Sequence, residues 1–159
     1  MKEFKSFYKT VQGNEGNKCN YPTRLDTYGC GCSHDCKYCY AKSLLDFRGM
    51  WDAENPAVAP IEEIERVIRK LPKEVVRLGG MTDCYQPIER ELRNTRKTIK
   101  LLNKYRIPYL IVTKSAIILD DINILDKELA HIQITVTTTD DDFSKTYENA
   151  SVPSERIKG

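Results

Sequence analysis

Four cysteines are crowded into one short stretch of the chain, Cys30, Cys32, Cys36 and Cys39. The last three have the spacing CxxxCxxC, and an aromatic residue, Tyr38, stands immediately before the third. Three thiolates on one loop can hold an iron–sulfur cluster from one side. Because a [4Fe–4S] cluster has four irons, three ligands leave one iron open, as a catalytic zinc site keeps one position open. The loop is therefore a candidate reaction centre.

Two other kinds of site use cysteines of this type. Structural zinc sites usually pair two CxxC knuckles, and ferredoxin clusters use CxxCxxC or CxxxxCxxC. Neither spacing occurs in this loop. A zinc-binding structural module, and a closed cluster with Cys30 or Cys84 as the fourth ligand, are the alternatives to an open cluster.

Composition bounds the class of protein. A chain of 159 residues with 40% hydrophobic residues predicts about one domain with one core. Its 25 Lys and Arg nearly balance 23 Asp and Glu, so no bulk field attracts nucleic acid or a membrane. The sequence shows neither a long apolar run nor a secretory leader. We therefore expect a cytoplasmic protein with no membrane partner, whose crowded cysteines bind metal rather than pair as disulfides.

Hydrophobic periodicity predicts helices alternating with short strands. The predicted helices cover 61–71, about 89–105 and 120–129, and the predicted strands about 24–28, 75–78, 109–112 and 132–136. Either Asp120 or Asp121 is the expected N-cap of the third helix, and the acidic run 140–142 is expected to begin another. Asp83 is expected either to cap the helix that follows it or to contact a cofactor, and we favour the cap.

Strands that alternate with helices predict a parallel sheet with helical crossovers, and thus an α/β fold. In such folds the chemistry gathers at the carboxyl ends of the strands. The strand ends at Gly79, Lys114 and Thr137 are therefore expected to face the cysteine loop. We divide the chain into an irregular lead-in, residues 1–25, and a core, residues 26–159.

The cysteine loop resembles the signature of the radical S-adenosylmethionine (SAM) superfamily, CxxxCxφC with an aromatic residue at φ. A closer similarity, to the spore photolyase-like branch often labelled DNA repair photolyase, lies downstream. It rests on GMTDCYQPIE at 80–89, Thr95 with Arg96, and VTKS at 112–115. The similarity runs from about residue 28 to residue 156.

The resemblance implies a role for each matching residue. Cys32, Cys36 and Cys39 hold a [4Fe–4S] cluster, whose open iron chelates the amino and carboxylate groups of SAM. Cys84 and Tyr85 follow the glycine strand and are the candidates for catalytic residues near the radical, with Cys84 as a hydrogen-atom donor. The residues implied to contact the cofactors are Tyr38, Gly79, Gly80, Thr82, Thr113 and Lys114.

The resemblance also implies an activity. An external one-electron reductant loads the cluster, SAM is cleaved reductively to a 5′-deoxyadenosyl radical, and the radical abstracts a hydrogen atom from substrate. The branch implies a lyase-related enzyme that acts on photoproducts in DNA.

The superfamily's partial (β/α) barrel has about six βα units, whereas this chain supplies about four. We therefore expect a barrel that is incomplete at the C-terminus. A second polypeptide or self-association would complete it. The alternative is a truncated or split-gene protein that binds a cluster without independent catalysis.

Overall fold

The computed structural model describes residues 7–12 and 20–158. Within the predicted irregular lead-in, Tyr8–Thr10 forms a strand, β1, that pairs antiparallel with Thr23–Leu25, β2. The described part of the lead-in is thus not irregular, because it supplies the edge strand β1 and the neighbouring strand β2. Cys19 lies outside the described residues.

Five strands form the main sheet. In spatial order they are β1, β2, Val76–Leu78 (β5), Tyr109–Thr113 (β6) and Ala130–Ile134 (β7). From β2 to β7 every neighbouring pair is parallel, which confirms the predicted parallel α/β sheet. A separate antiparallel pair joins β3, Tyr28–Gly29, to β4, Ala57–Val58. The architecture is compatible with a partial radical-SAM-type fold.

Helices lie between the strands and after the last of them. They are α1 Tyr40–Asp46, α2 Ile61–Ile68, α3 Glu89–Leu92, α4 Asn94–Lys104, a 3₁₀ helix Ala116–Ile124, α5 Asp141–Lys145 and α6 Pro153–Lys158. None of the helices in the described residues is long and apolar enough to span a bilayer. Asp140 caps α5 by accepting hydrogen bonds from the amides of Asp142 and Phe143, so the predicted helix start in the acidic run is confirmed.

The predicted helix over 89–105 is two helices. The chain turns at Arg93, which has a left-handed φ of 54°. The carboxylate of Glu89 then accepts hydrogen bonds from the amides of Thr95 and Arg96 at the start of α4. A buried side chain from the first helix therefore satisfies the free amides of the second.

The predicted helix over 120–129 is wrong, and so is its predicted cap. The 3₁₀ helix begins earlier, where the Ser115 hydroxyl accepts a hydrogen bond from the amide of Ile117. Asp121 is buried. It accepts a hydrogen bond from the Tyr85 hydroxyl at 3.1 Å and forms an ion pair with Arg96. Tertiary contacts, rather than a cap, account for this aspartate.

Alternation along the strands separates the core from the site. Leu78 and Ile111 point toward α2 and α4, where they pack in the core with Ile64 and Ile99. Burying each such side chain contributes roughly 1.5–3 kcal/mol. The residues of opposite parity face the other side of the sheet, and there Arg77, Val112 and Thr135 line a cavity.

Candidate cofactor site

A cavity of about 300 Å³ lies between the cysteine loop and the carboxyl ends of β5, β6 and β7. It brings together the residues that the sequence assigned to the cluster and to SAM. They are Cys32, Cys36, Cys39, Tyr38, Gly79, Gly80, Thr82, Thr113 and Lys114. The carboxyl ends of parallel strands meet at one edge of a sheet, which is why these distant segments share a wall.

The thiols of the loop are free and partly or fully buried. Burial, followed by the charge of Asp83, raises the pKa of Cys32 to about 12. Burial and the charge of Glu148 raise the pKa of Cys36 to about 11. The Cys39 sulfur accepts a hydrogen bond from the amide of Lys42 at 3.4 Å, at the first turn of α1. Any metal that takes thiolates here must displace protons, so its affinity rises with pH.

The donor set fits a cysteine-ligated cluster in residue type. A four-iron cluster takes thiolates on different irons, so its ligands surround a volume instead of meeting at a point. Three free thiols around one cavity satisfy that requirement in residue type and placement.

The two positions after β5 are glycine for different structural reasons. Gly79 has a φ of +78°, and a Cβ there would lie 2.9 Å from the carbonyl oxygen of Thr82. At Gly80 a Cβ would instead meet the side chain of Arg24. The Gly80 carbonyl accepts a hydrogen bond from the Tyr40 hydroxyl at 2.8 Å. Backbone geometry thus explains the glycine at 79, and packing against Arg24 explains the one at 80.

Asp83 ties two strand ends together and lines the cavity. It accepts a hydrogen bond from the Tyr85 amide at 2.9 Å within a turn, but the next helix, α3, begins only at Glu89, so the interpretation of Asp83 as a helix cap is wrong. Its carboxylate accepts hydrogen bonds from the Thr113 hydroxyl at 2.7 Å and from the Lys114 amide at 2.8 Å. His34 Nε2 lies 3.4 Å from Oδ2, the same oxygen that accepts from the Lys114 amide. Burial alone would raise the pKa of Asp83, but His34 and these donors hold it below its ordinary value.

The inner wall of the cavity carries a cation. Arg77 lines the cavity, and its Nε is buried with no hydrogen-bond partner among the described residues. The neighbouring carboxylate, Asp26, already accepts hydrogen bonds from the amides of Gly80 and Met81 and lies 3.2 Å from Arg24. A buried guanidinium N–H without an acceptor favours an anionic ligand group.

The structure does not bring Cys84 and Tyr85 to the cavity. Both are buried in the hydrophobic core, and neither lines the cavity wall. The Tyr85 hydroxyl donates to Asp121 on the 3₁₀ helix. Their contacts are those of scaffold residues.

Sequence reasoning missed Glu148. The Tyr38 hydroxyl donates a hydrogen bond to its carboxylate across a separation of 110 residues, and Cys36 Sγ lies 3.8 Å from the same oxygen. The sequence around Glu148 forms no motif with the cysteines, so only the fold brings them together. Arg77 was missed too, although its place between buried Val76 and Leu78 assigns it to the opposite face of the strand.

Residues 27–159 match the radical SAM superfamily. The chain therefore belongs to that superfamily, which supports a radical-SAM-type function and suggests an enzyme. Proteins of this superfamily generally bind a [4Fe–4S] cluster and SAM, and they typically need an external reductant.

The chain is similar to a protein of Methanocaldococcus jannaschii named Uncharacterized protein MJ0683. The two are 28% identical over 130 residues, which cover 79% of this chain and 49% of that protein. The chain thus spans about half the length of this curated relative. No solved structure matches the chain.

Proposed function

We propose that the cavity holds a [4Fe–4S] cluster on Cys32, Cys36 and Cys39 with SAM beside it, and that the protein is a radical SAM enzyme served by an external one-electron reductant. One observation carries the proposal. In a chain of this superfamily, the three cysteines line a single cavity with the glycine strand end and two cationic side chains. When bound together, the reduced cluster and SAM supply reductive cleavage to methionine and a 5′-deoxyadenosyl radical.

The chain's own residues bind and orient the ligands. Arg77 on β5 and Lys114 at the end of the neighbouring strand β6 offer cations to the carboxylate of the methionine group. Asp83 holds the Lys114 backbone against the end of β5, so the ends of the two strands keep their spacing. The ring of Tyr38, with Lys114 Nζ 5.6 Å from its centroid, covers the outer side of the same space and limits its contact with water.

The substrate proposal has separate support. Likeness to the spore photolyase-like branch favours a lyase-related reaction on a DNA photoproduct. Several residues of that likeness hold the scaffold: Gln86 accepts a hydrogen bond from the Ser33 amide at 3.1 Å, and Glu89 caps α4. A shared scaffold supports shared cofactor chemistry more than a shared substrate, so DNA repair rests on the branch resemblance alone.

The first experiment asks whether SAM is cleaved. The chain is reconstituted anaerobically with iron and sulfide, reduced with dithionite and given SAM, and 5′-deoxyadenosine is measured by mass spectrometry. We expect iron binding and product in wild type, and loss of both in Cys36→Ala. Cys30→Ala is the matched control, because Cys30 does not line the cavity.

Each outcome has a defined meaning. Zinc in place of iron contradicts the cluster and favours the zinc module. Iron without product contradicts independent catalysis and favours a chain that needs a partner. Lesion-bearing DNA left unchanged by a chain that cleaves SAM removes the substrate proposal only.

A further inference from the structure

The segment that follows β7 forms backbone hydrogen bonds with the cysteine loop on both sides of Cys36. The amide of Asn149 donates to the carbonyl of His34 at 2.7 Å, and the amide of Lys37 donates to the carbonyl of Tyr147 at 2.9 Å. The rings of Tyr38 and Tyr147 are in contact, with centroids 5.7 Å apart. We call residues 143–156 the clamp segment.

Glu148 lies between the cysteine loop and the clamp segment. One carboxylate oxygen, Oε2, accepts a hydrogen bond from the Tyr38 hydroxyl and lies 3.8 Å from Cys36 Sγ. The other oxygen pairs with Arg156 and accepts a hydrogen bond from the Ser144 hydroxyl at 3.3 Å. The carboxylate therefore joins the loop to the clamp segment.

Arg156 forms an ion pair with Glu148 on the side of the carboxylate away from the cysteine loop. The side chains of both residues are fully buried, with 0% exposure each. Arg156 also donates to the carbonyls of Thr135 at 2.9 Å and Ser151 at 2.5 Å, so its guanidinium is fixed to the end of β7. Buried ion pairs add little net stability but can specify one geometry.

We propose that Glu148, anchored by Arg156, is a positioning residue that sets the place and the electrostatic surroundings of Cys36 in the cysteine loop. The inference rests on the proposed function for the role of Cys36 as a cluster ligand. The contacts between the clamp segment and the cysteine loop are formed by the protein without ligands.

The proposal has an electrostatic consequence for a bound cluster. Reduction adds one electron from the external reductant, and a carboxylate beside one ligand opposes that added negative charge. Glu148 therefore lowers the reduction potential. Removing the charge of Glu148 leaves the Arg156 cation beside it unpaired, so the net charge near Cys36 becomes more positive and the potential rises.

The first test uses the protein without ligands and measures amide hydrogen exchange. Tyr38→Phe removes one hydroxyl from a side chain that is half exposed and leaves the buried pair intact. We expect exchange at the Lys37 and Asn149 amides to be about tenfold faster, since one charge-assisted hydrogen bond is lost. The amide of Ile111 in β6 is the reference, because a general loss of stability would change it too.

The second test measures the reduction potential of the reconstituted cluster in Glu148→Gln. We expect a potential more positive than that of wild type. Glu155→Gln is the matched control: it removes the same charge from the exposed side of α6 and is expected to leave the potential and the loop exchange unchanged.

The outcomes separate this inference from the proposed function. Wild-type exchange at Lys37 and Asn149 in both Tyr38→Phe and Glu148→Gln overturns the inference. So does a wild-type potential in Glu148→Gln. If wild type takes up no iron, the proposed function fails. Amide exchange alone then tests whether Glu148 positions the cysteine loop. If Glu148→Gln does not fold, Tyr38→Phe decides it.

Discussion

The two walls of the cavity are built in different ways. The strand-end wall, residues 79–83 with 113–114, lies where the paired strands β5 and β6 end, just beyond the last pair in their register, Leu78 and Ile111. Asp83 closes it with bonds to Thr113 and Lys114. The cysteine loop, residues 31–39, contains no regular helix or strand. Its backbone is tied to residues far along the chain, Gln86, Tyr147 and Asn149.

This difference shows which part of the site is local and which is not. A wall that extends a parallel sheet inherits its position from the strands beneath it. A loop without a ladder has to satisfy its backbone through distant partners. We therefore expect changes inside the loop, or in its partners, to disturb the site most, and changes in the strand-end wall to be absorbed more readily.

Gly31→Ala gives the largest expected effect and tests the loop. A Cβ there would lie 1.7 Å from the Asp52 carbonyl oxygen, and backbone rather than a flexible side chain would have to move. We expect the free energy of unfolding to fall by about 3 kcal/mol, as measured by urea denaturation. Gly49→Ala is the control, because its φ is +64° but nothing lies within 4 Å; its loss should be about 1 kcal/mol. Equal losses in the two variants would contradict the loop's dependence on tight packing.

Asp83→Asn comes next and tests the strand-end wall. Asparagine keeps one acceptor but loses the carboxylate oxygen that the Lys114 amide uses, so we expect a loss of about 2 kcal/mol. Because the folded pKa of Asp83 lies below the ordinary value of 3.8, its stabilisation is present above that pH and is lost as the pH falls through the folded pKa. Unfolding measured from pH 6 to pH 2 should show a shallower acid loss in the variant. A parallel pair of pH curves would contradict the role of the Asp83 charge.

Gly79→Ala has the smallest expected effect. The positive φ and the 2.9 Å approach to the Thr82 carbonyl predict a loss of about 1–2 kcal/mol. Gly80→Ala is the comparison, since its Cβ meets the movable Arg24 side chain and should be better tolerated. Thermal unfolding of both proteins gives the ranking. A larger loss at 80 than at 79 would mean that packing against Arg24, not backbone strain, governs this strand end.

Local patterns predicted the regular elements well where burial repeats along the chain. The apolar stripe that begins at Ile61 became α2, and the short apolar runs became β5 and β6. The predictions were wrong where one side chain serves a distant partner. Asp121, interpreted as a cap, is buried against Tyr85 and Arg96, and no periodicity in the sequence contains that information.

The cysteine spacing, the glycines after a buried strand and the alternation of strands with helices are readable from the sequence by itself, because each depends on neighbouring residues. They determined the class of fold and the candidate ligands. Only the tertiary structure decided that Arg77 faces the cavity, that Cys84 and Tyr85 belong to the core, and that Glu148 reaches Cys36. Those facts depend on how the strands and their connections pack, and contacts between residues far apart in the chain leave no local pattern.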